Sequence, residues 1–294
     1  MKPSIALPPL PDQQQLGDSC RETSSVERVQ PWTVEKDFFL TRLIWGLAQA
    51  HDHDLLLKGG TCLSKVDLGY HRMSEDIDMT IPGAPTRYRS TNVRVLNQIP
   101  RSLDAIGAAV GIVLVNFDGT RSEKGAHAIW DVRYPSSFLP PTSAVIAIEA
   151  AIRPVHRPPR NAPLLQLLPA TLLPGYGDAR CWALEFAEVR AEKVRAAFTR
   201  DPPQIRDFFD LGLLARSGAD MDSTEFRKLV DAKLAELSAV PLAEQPASFG
   251  LSPARRNALQ ADRKLLQSVV RIDEPAFDLQ TVLDYYNHIW EKPA

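Results

Sequence analysis

The sequence is poor in the residues that would allow several common kinds of chemistry. Three cysteines in 294 residues, Cys20, Cys62 and Cys181, are odd in number and far apart. Neither a disulfide framework nor a cysteine zinc site is expected from them, and they fit a reducing cytoplasm. The six histidines are scattered, and only His51 and His53 stand close together, in an expected loop. That leaves little for hydrolysis built on His or Cys. No run approaches the roughly 18 apolar residues of a membrane span. The opening MKPSIALPPLPDQQQ lacks the roughly 7–15-residue apolar core of a signal peptide. An excess of one charge is also missing, with 34 Lys and Arg against 36 Asp and Glu and a net charge of −2. Composition alone therefore does not mark a polyanion binder. At 44% hydrophobic and 24% charged residues, disorder and coiled coil are excluded as the dominant state.

Two things are present in quantity. Twenty-four prolines, against the usual ~5%, punctuate loops. Charge is also unevenly spread. Met79–Arg160 contains ten Lys or Arg and five Asp or Glu, a balance of +5, so the rest of the chain carries −7. Such a split is compatible with a local nucleic-acid surface and equally with ordinary solvated surface.

Residues 1–30, rich in Pro, Gln and Ser, are expected to be a flexible lead-in with at most a short helix near Cys20–Arg28. Thr33 to Ala50 has a helical stripe at Phe39, Leu43 and Leu47, with Thr33 available as cap. Asp54–Lys58 reads as a buried strand, Gly59-Gly60 as a sharp break, and Thr61–Leu68 as a new helix. Asp76–Ile81 alternates, with Ile77, Met79 and Ile81 on one face and Asp76, Asp78 and Thr80 on the other. A helix over 91–112 and strands at Val113–Phe117, Ala128–Tyr134 and Ser143–Ile152 follow. Helices are expected at Leu184–Arg200, Gln204–Ala215, Ser223–Ser238, Pro253–Arg271 and Thr281–Trp290. Mixed elements followed by helices imply an α+β protein of two lobes, an α/β lobe over 31–180 and a helical lobe over 181–294. The five tryptophans are read as core.

The chemistry is concentrated in Leu55–Ile81, LLLKGGTCLSKVDLGYHRMSEDIDMTI. Gly59 and Gly60 allow backbone N–H groups to approach a ligand, and the helix that follows offers its free donors and positive end to a phosphate. Thr61 adds a hydroxyl, and Lys65 lies a turn further on. Asp76 and Asp78, two positions apart on a strand, can converge on one point. Two carboxylates beside a phosphate cradle suit Mg²⁺, which divides its ligands between carboxylates and substrate phosphates. The implied reaction is phosphoryl or nucleotidyl transfer. Ser74 shapes the turn before the acidic run, and Cys62 is read as packing. The basic residues Arg87, Arg89, Arg94, Arg153, Arg157 and Arg160 are candidate RNA contacts.

In its order of strand, Gly-Gly, helix, strand and Asp-x-Asp, the segment resembles the nucleotidyltransferase superfamily of DNA polymerase β type. Its 15-residue gap between Gly60 and Asp76 exceeds the ten or so common there. Val34-Glu35-Lys36-Asp37-Phe38, Lys58-Gly59-Gly60-Thr61, Leu63-Ser64-Lys65 and Arg72-Met73-Ser74-Glu75-Asp76-Ile77-Asp78 are similar to the AbiEii/AbiGii toxin family. So are Glu192-Lys193-x-x-Ala196 and Arg206-Asp207-Phe208-Phe209-Asp210-Leu211. That family comprises nucleotidyltransferase toxins of toxin–antitoxin and abortive-infection systems, including mycobacterial toxins that modify tRNA. The resemblance covers residues 32–215. It implies that Gly59, Gly60 and Thr61 hold the triphosphate with help from Lys65, and that Asp76 and Asp78 bind the metal. It also implies that Lys193 reaches the nucleotide phosphates and that Asp207 and Asp210 form a second acidic motif, oriented by Arg206. Glu149 is the candidate third carboxylate of the wider superfamily.

The expected function is a toxin that uses Mg²⁺ to move a nucleoside monophosphate from an NTP onto RNA, at the 3′ end of tRNA, and so blocks translation. A separately encoded antitoxin is the implied partner. A protein or small-molecule acceptor is the second reading. A catalytically silent module that binds an antitoxin or nucleic acid is the third.

Overall fold

The computed structural model describes residues 6–172, 175–271 and 273–290. The chain divides into two compact units, Met1–Leu184 and Glu185–Ala294.

The first unit opens with helix α1 (Gln13–Glu27), whose Asp12 side chain accepts from the Gln15 amide as an N-cap. Leu16, Ser19, Cys20 and Thr23 of α1 are buried, and the helix packs on α2 (Pro31–His51). Where described, the expected flexible lead-in is therefore a packed helix. Its apolar residues are few but fall on one face. Residues 1–5 lie outside the described residues. Helix α2 begins at Pro31 after Gln30, and Thr33 is already inside it. A proline at N1 costs no hydrogen bond, which sets the start two residues before Thr33.

The chain then gives β1 (Leu56–Leu57), the short helix α3 (Gly59–Cys62) with a π-helical turn over Leu63–Asp67, and β2 (Ile77–Pro82). Two helices, α4 (Arg89–Leu96) and α5 (Gln98–Val110), replace the single helix expected over 91–112. They meet at Asn97, and α5 ends at Gly111 in the left-handed conformation. Strands β3 (Val113–Leu114), β4 (Thr120–Ser122), β5 (His127–Arg133), β6 (Val145–Arg153), β7 (Arg160–Pro163) and β8 (Arg180–Ala183) complete the unit.

The sheet order is β3-β5-β6-β2-β1-β8-β7, with β4 also pairing β5. β2 is parallel to β6 and antiparallel to β1, and β1 is parallel to β8. Strands β4, β7 and β8 had no counterpart in the sequence reading. They are three or four residues long, too short to carry a usable alternation, and β8 lies inside the sheet between β1 and β7. β3 is likewise two residues rather than five. On the apolar side of the sheet Ile77, Met79, Ile146, Ile148 and Trp130 are buried, as are Phe38, Phe39, Leu43 and Ile44 of α2. Trp130 is 1% exposed, but Trp32 is 42% exposed and is not core.

The second unit is helical: α6 (Phe186–Thr199), α7 (Ile205–Arg216), α8 (Thr224–Ala235), α9 (Pro253–Ala261), α10 (Arg263–Val269) and α11 (Leu279–Trp290). The helix expected over Pro253–Arg271 is divided at Asp262. Phe198, Phe208, Phe249, Tyr286 and Trp290 form an aromatic core, and the Tyr286 hydroxyl donates to the Leu211 carbonyl at 3.0 Å. Lys233 of α8 is buried between Glu188 (2.7 Å), Glu192 (3.1 Å) and Glu236 (3.0 Å). Among the described residues no helix is long and apolar enough to cross a membrane.

Candidate active site

The Gly-Gly turn and the acidic strand are in direct contact. β1 and β2 pair so that the Lys58 amide donates to the Asp78 carbonyl at 2.9 Å. Gly59 follows at φ +69°, and a Cβ there would overlap the Asp78 carboxylate. A Cβ on Gly60 would overlap the buried guanidinium of Arg72. Both glycines are thus required by close approach, and Gly59 by its left-handed backbone as well. α3 starts at Gly59, so its first amides lack partners within the helix, and the first helical bond runs from the Cys62 amide to the Lys58 carbonyl.

Asp76 stands immediately before β2 and Asp78 within it, and both are half-buried, open to solvent on one side. The register pairs Asp78 with Glu149 on the neighbouring parallel strand. Glu149 Oε1 lies 3.3 Å from His127 Nε2 and 3.7 Å from Lys58 Nζ. Among the described residues no three His, Cys, Asp or Glu side chains form a ready metal cage. Two accessible carboxylates nevertheless fit Mg²⁺, which completes its octahedron with water and substrate phosphates rather than with protein alone.

Several expected site residues have other duties. Thr61 is fully buried, and its hydroxyl lies 2.5 Å from Ser74 Oγ and donates to the Asp76 carbonyl. Ser74 Oγ also reaches that carbonyl, at 3.2 Å. The two hydroxyls fix the backbone that presents Asp76. Lys65 is 1% exposed and bonds Asp37 at 2.5 Å and the Tyr70 hydroxyl at 3.0 Å. This buried ion pair ties the π-helical turn to α2. Burial lowers the Lys65 pKa, against the opposing pull of Asp37.

Among the RNA candidates, Arg160 bonds Asp67 and the Leu184 carbonyl, and Arg153 pairs with Glu123 at 2.6 Å. Both are structural contacts. Arg157 borders an open cavity of about 440 Å³ together with His53, His156 and Pro82. Arg87, Arg89 and Arg94 are exposed.

In the helical unit Lys193 Nζ lies 2.7 Å from Asp210 and 3.2 Å from Asp207, all three buried. Asp207 is held on its other oxygen by Arg200 at 2.8 Å. Arg206 bonds Gln204. Arg200, which follows α6, thus contributes an arginine to the acidic motif.

The sequence reading missed four participants: Lys36, Lys58, His127 and Arg200. Lys36 is half-buried on α2, and burial lowers its pKa while the nearby charges of Glu75 and Asp76 raise it. Its signal was its place between Glu35 and Asp37, both of which are buried and bonded. Lys58 and His127 become visible only through the register that brings them to Glu149.

A carboxylate pair on a strand, packed on a glycine turn that opens a helix, can hold a metal–triphosphate and neutralise charge on a transferring phosphoryl group. Comparison with known proteins agrees with this chemistry. The chain is similar in structure to MenT4, the nucleotidyltransferase toxin Rv2826c from Mycobacterium tuberculosis H37Rv. The TM-score is 0.55 at 19% identity, covering 95% of this chain and 97% of that one, which is a likeness of fold. No curated protein matches the sequence. The family model for the nucleotidyl transferase AbiEii toxin, type IV TA system, matches residues 42–285. The chain belongs to that AbiEii family of nucleotidyltransferase toxins.

Proposed function

We propose that this nucleotidyltransferase moves a nucleoside monophosphate from an NTP to the 3′ end of an RNA, a tRNA, and thereby blocks translation. The observation that carries the reading is the contact of the Asp78 carboxylate with Gly59, which joins the phosphate turn to the acidic strand. Asp76 and Asp78 would hold Mg²⁺. When bound, the ion supplies charge neutralisation at the transferring phosphoryl group. Gly59 and Gly60 cradle the phosphates with backbone amides, and Thr61 and Ser74 keep Asp76 in place. Lys36 adds positive charge beside Asp76. Glu149, paired with Lys58 and His127, is the carboxylate available to take the acceptor hydroxyl's proton. In the helical unit, Lys193 is the proposed phosphate contact and Asp210 and Asp207 its holders. Catalysis is then chiefly positioning and electrostatics. The exposed Arg87, Arg89 and Arg94 support an RNA acceptor, and membership of a type IV toxin family implies a separately encoded antitoxin.

The test is incubation with each labelled NTP, total RNA and Mg²⁺, followed by sequencing of RNA 3′ ends. Wild type should add nucleotides, while Asp76→Ala and chelation should abolish addition. Label on protein or a small molecule alone would overturn the RNA acceptor. Labelling that survives Asp76→Ala would overturn the metal site.

A further inference from the structure

The strand that carries Asp78 leads directly into an exposed basic loop built around a tyrosine. From Met79 to Leu103 the chain has no Asp or Glu but contains Arg87, Arg89, Arg94 and Arg101. β2 ends at Pro82, the Gly83 amide donates to the Arg153 carbonyl at 2.9 Å, and residues 83–90 are exposed. Tyr88 is 56% exposed. The Arg87 guanidinium lies 4.7 Å from its ring centroid and bonds its hydroxyl.

The loop is held in shape from beneath. Asn92, 1% exposed, accepts from the Thr86 amide at 2.9 Å and donates to the Thr86 carbonyl at 2.8 Å and the Lys124 carbonyl at 3.2 Å. One buried amide thereby fixes both the Tyr88 loop and the turn that carries Lys124. Arg121 bonds Asn97 at the end of α4, and its pKa is lowered by burial and by the charge of Arg89 against the opposing charge of Asp118. The carboxylate in the adjoining turn, Glu123, is already neutralised by Arg153. Fixed positive charge around an exposed, rigid aromatic ring is the surface that single-stranded nucleic acid uses, with phosphates on the cations and a base on the ring.

We propose that Tyr88 is a base-stacking platform for the unpaired end of the acceptor RNA, with Arg87, Arg89 and Lys124 contacting its backbone. The proposal rests on the RNA acceptor argued above and names where that RNA is gripped. Gly83, where the loop begins, is five positions along the strand from Asp78, about 16 Å at ~3.3 Å per residue. The stacked base therefore lies upstream of the nucleotide that receives the transferred group.

The test measures binding of a short unpaired RNA, and of a duplex RNA of equal length, to the full chain by fluorescence anisotropy over a series of salt concentrations. NTP affinity by calorimetry is followed in parallel. Tyr88→Ala should weaken binding of the unpaired RNA about 5- to 150-fold, the loss expected for one stacked base. Tyr88→Phe should bind close to wild type, and NTP affinity should not change in either variant. Arg87→Ala should reduce the salt slope by about one. Equal binding of the unpaired RNA by wild type and Tyr88→Ala would overturn the platform while leaving the RNA acceptor standing. So would an equal loss on duplex, or a loss confined to a protein partner. If wild type binds no RNA, the acceptor reading fails and the platform with it.

Discussion

Replacing Lys65 by Met separates two roles that the motif alone cannot distinguish. Met keeps most of the buried stem and removes the ammonium. Asp37 would lose its partner at 2.5 Å but keep the Tyr70 hydroxyl at 3.0 Å and the Leu167 amide at 3.0 Å. Breaking a buried pair from one side costs about 3–5 kcal/mol, because the surviving charge remains buried. Two remaining neutral donors place this case near the low end, ~3 kcal/mol. For a folding unit of this size that is a fall of about 6–12 °C in Tm. The assay is thermal unfolding of Lys65→Met, Asp37→Asn and the double variant, with NTP affinity measured on each. The double variant, free of the uncompensated charge, should be more stable than the sum of the two single losses predicts. A Lys65→Met protein with unchanged Tm and weakened NTP binding would refute the argument and return Lys65 to the phosphates.

Gly59→Ala must adopt a left-handed backbone at about 1–2 kcal/mol and also displace the Asp78 carboxylate, so kcat should collapse while Tm falls only a few degrees. Lys193→Met leaves Asp207 and Asp210 buried without their shared cation, and calorimetry should show the helical unit losing about 3–5 kcal/mol. Glu35 is buried and its pKa is raised above 4.5 by desolvation, against the hydrogen bonds from Ser136 and Ser137. A raised folded pKa gives stability that is complete below pH 4.5 and lost as pH rises through the folded value. Tm measured against pH should therefore show Glu35→Gln gaining on wild type from pH 4.5 toward neutrality, and a flat difference would contradict it.

What could be read in advance was what depends on near neighbours in the chain. Gly59-Gly60 and Asp76-x-Asp78 announce a turn and a strand edge by residue type alone, and their chemistry follows from that. Lys65 could not be read correctly, because its partner Asp37 lies 28 positions earlier. Arg160 and Arg153 looked like free surface charge until pairing brought Asp67 and Glu123 to them. The burial of Lys193 comes only from tertiary packing, which sets it against Asp207 and Asp210 of the next helix. Strands β7 and β8 are legible only from each other, through contacts such as Arg180 to Asn161. Helix α1 was obscured by polar composition, since its few buried residues suffice against α2 but give a weak pattern.

The contact between Gly59 and Asp78 also bears on how such proteins diverge. Eighteen residues of chain run between the two positions, yet they touch, and the intervening segment is fastened at Lys65 to α2 and at Asp67 to Arg160. Beyond those anchors Tyr70 bonds Lys65, Asp37 and the Leu165 carbonyl, so the segment stays fastened almost to Arg72. The glycine–carboxylate pair must therefore be inherited together or lost together.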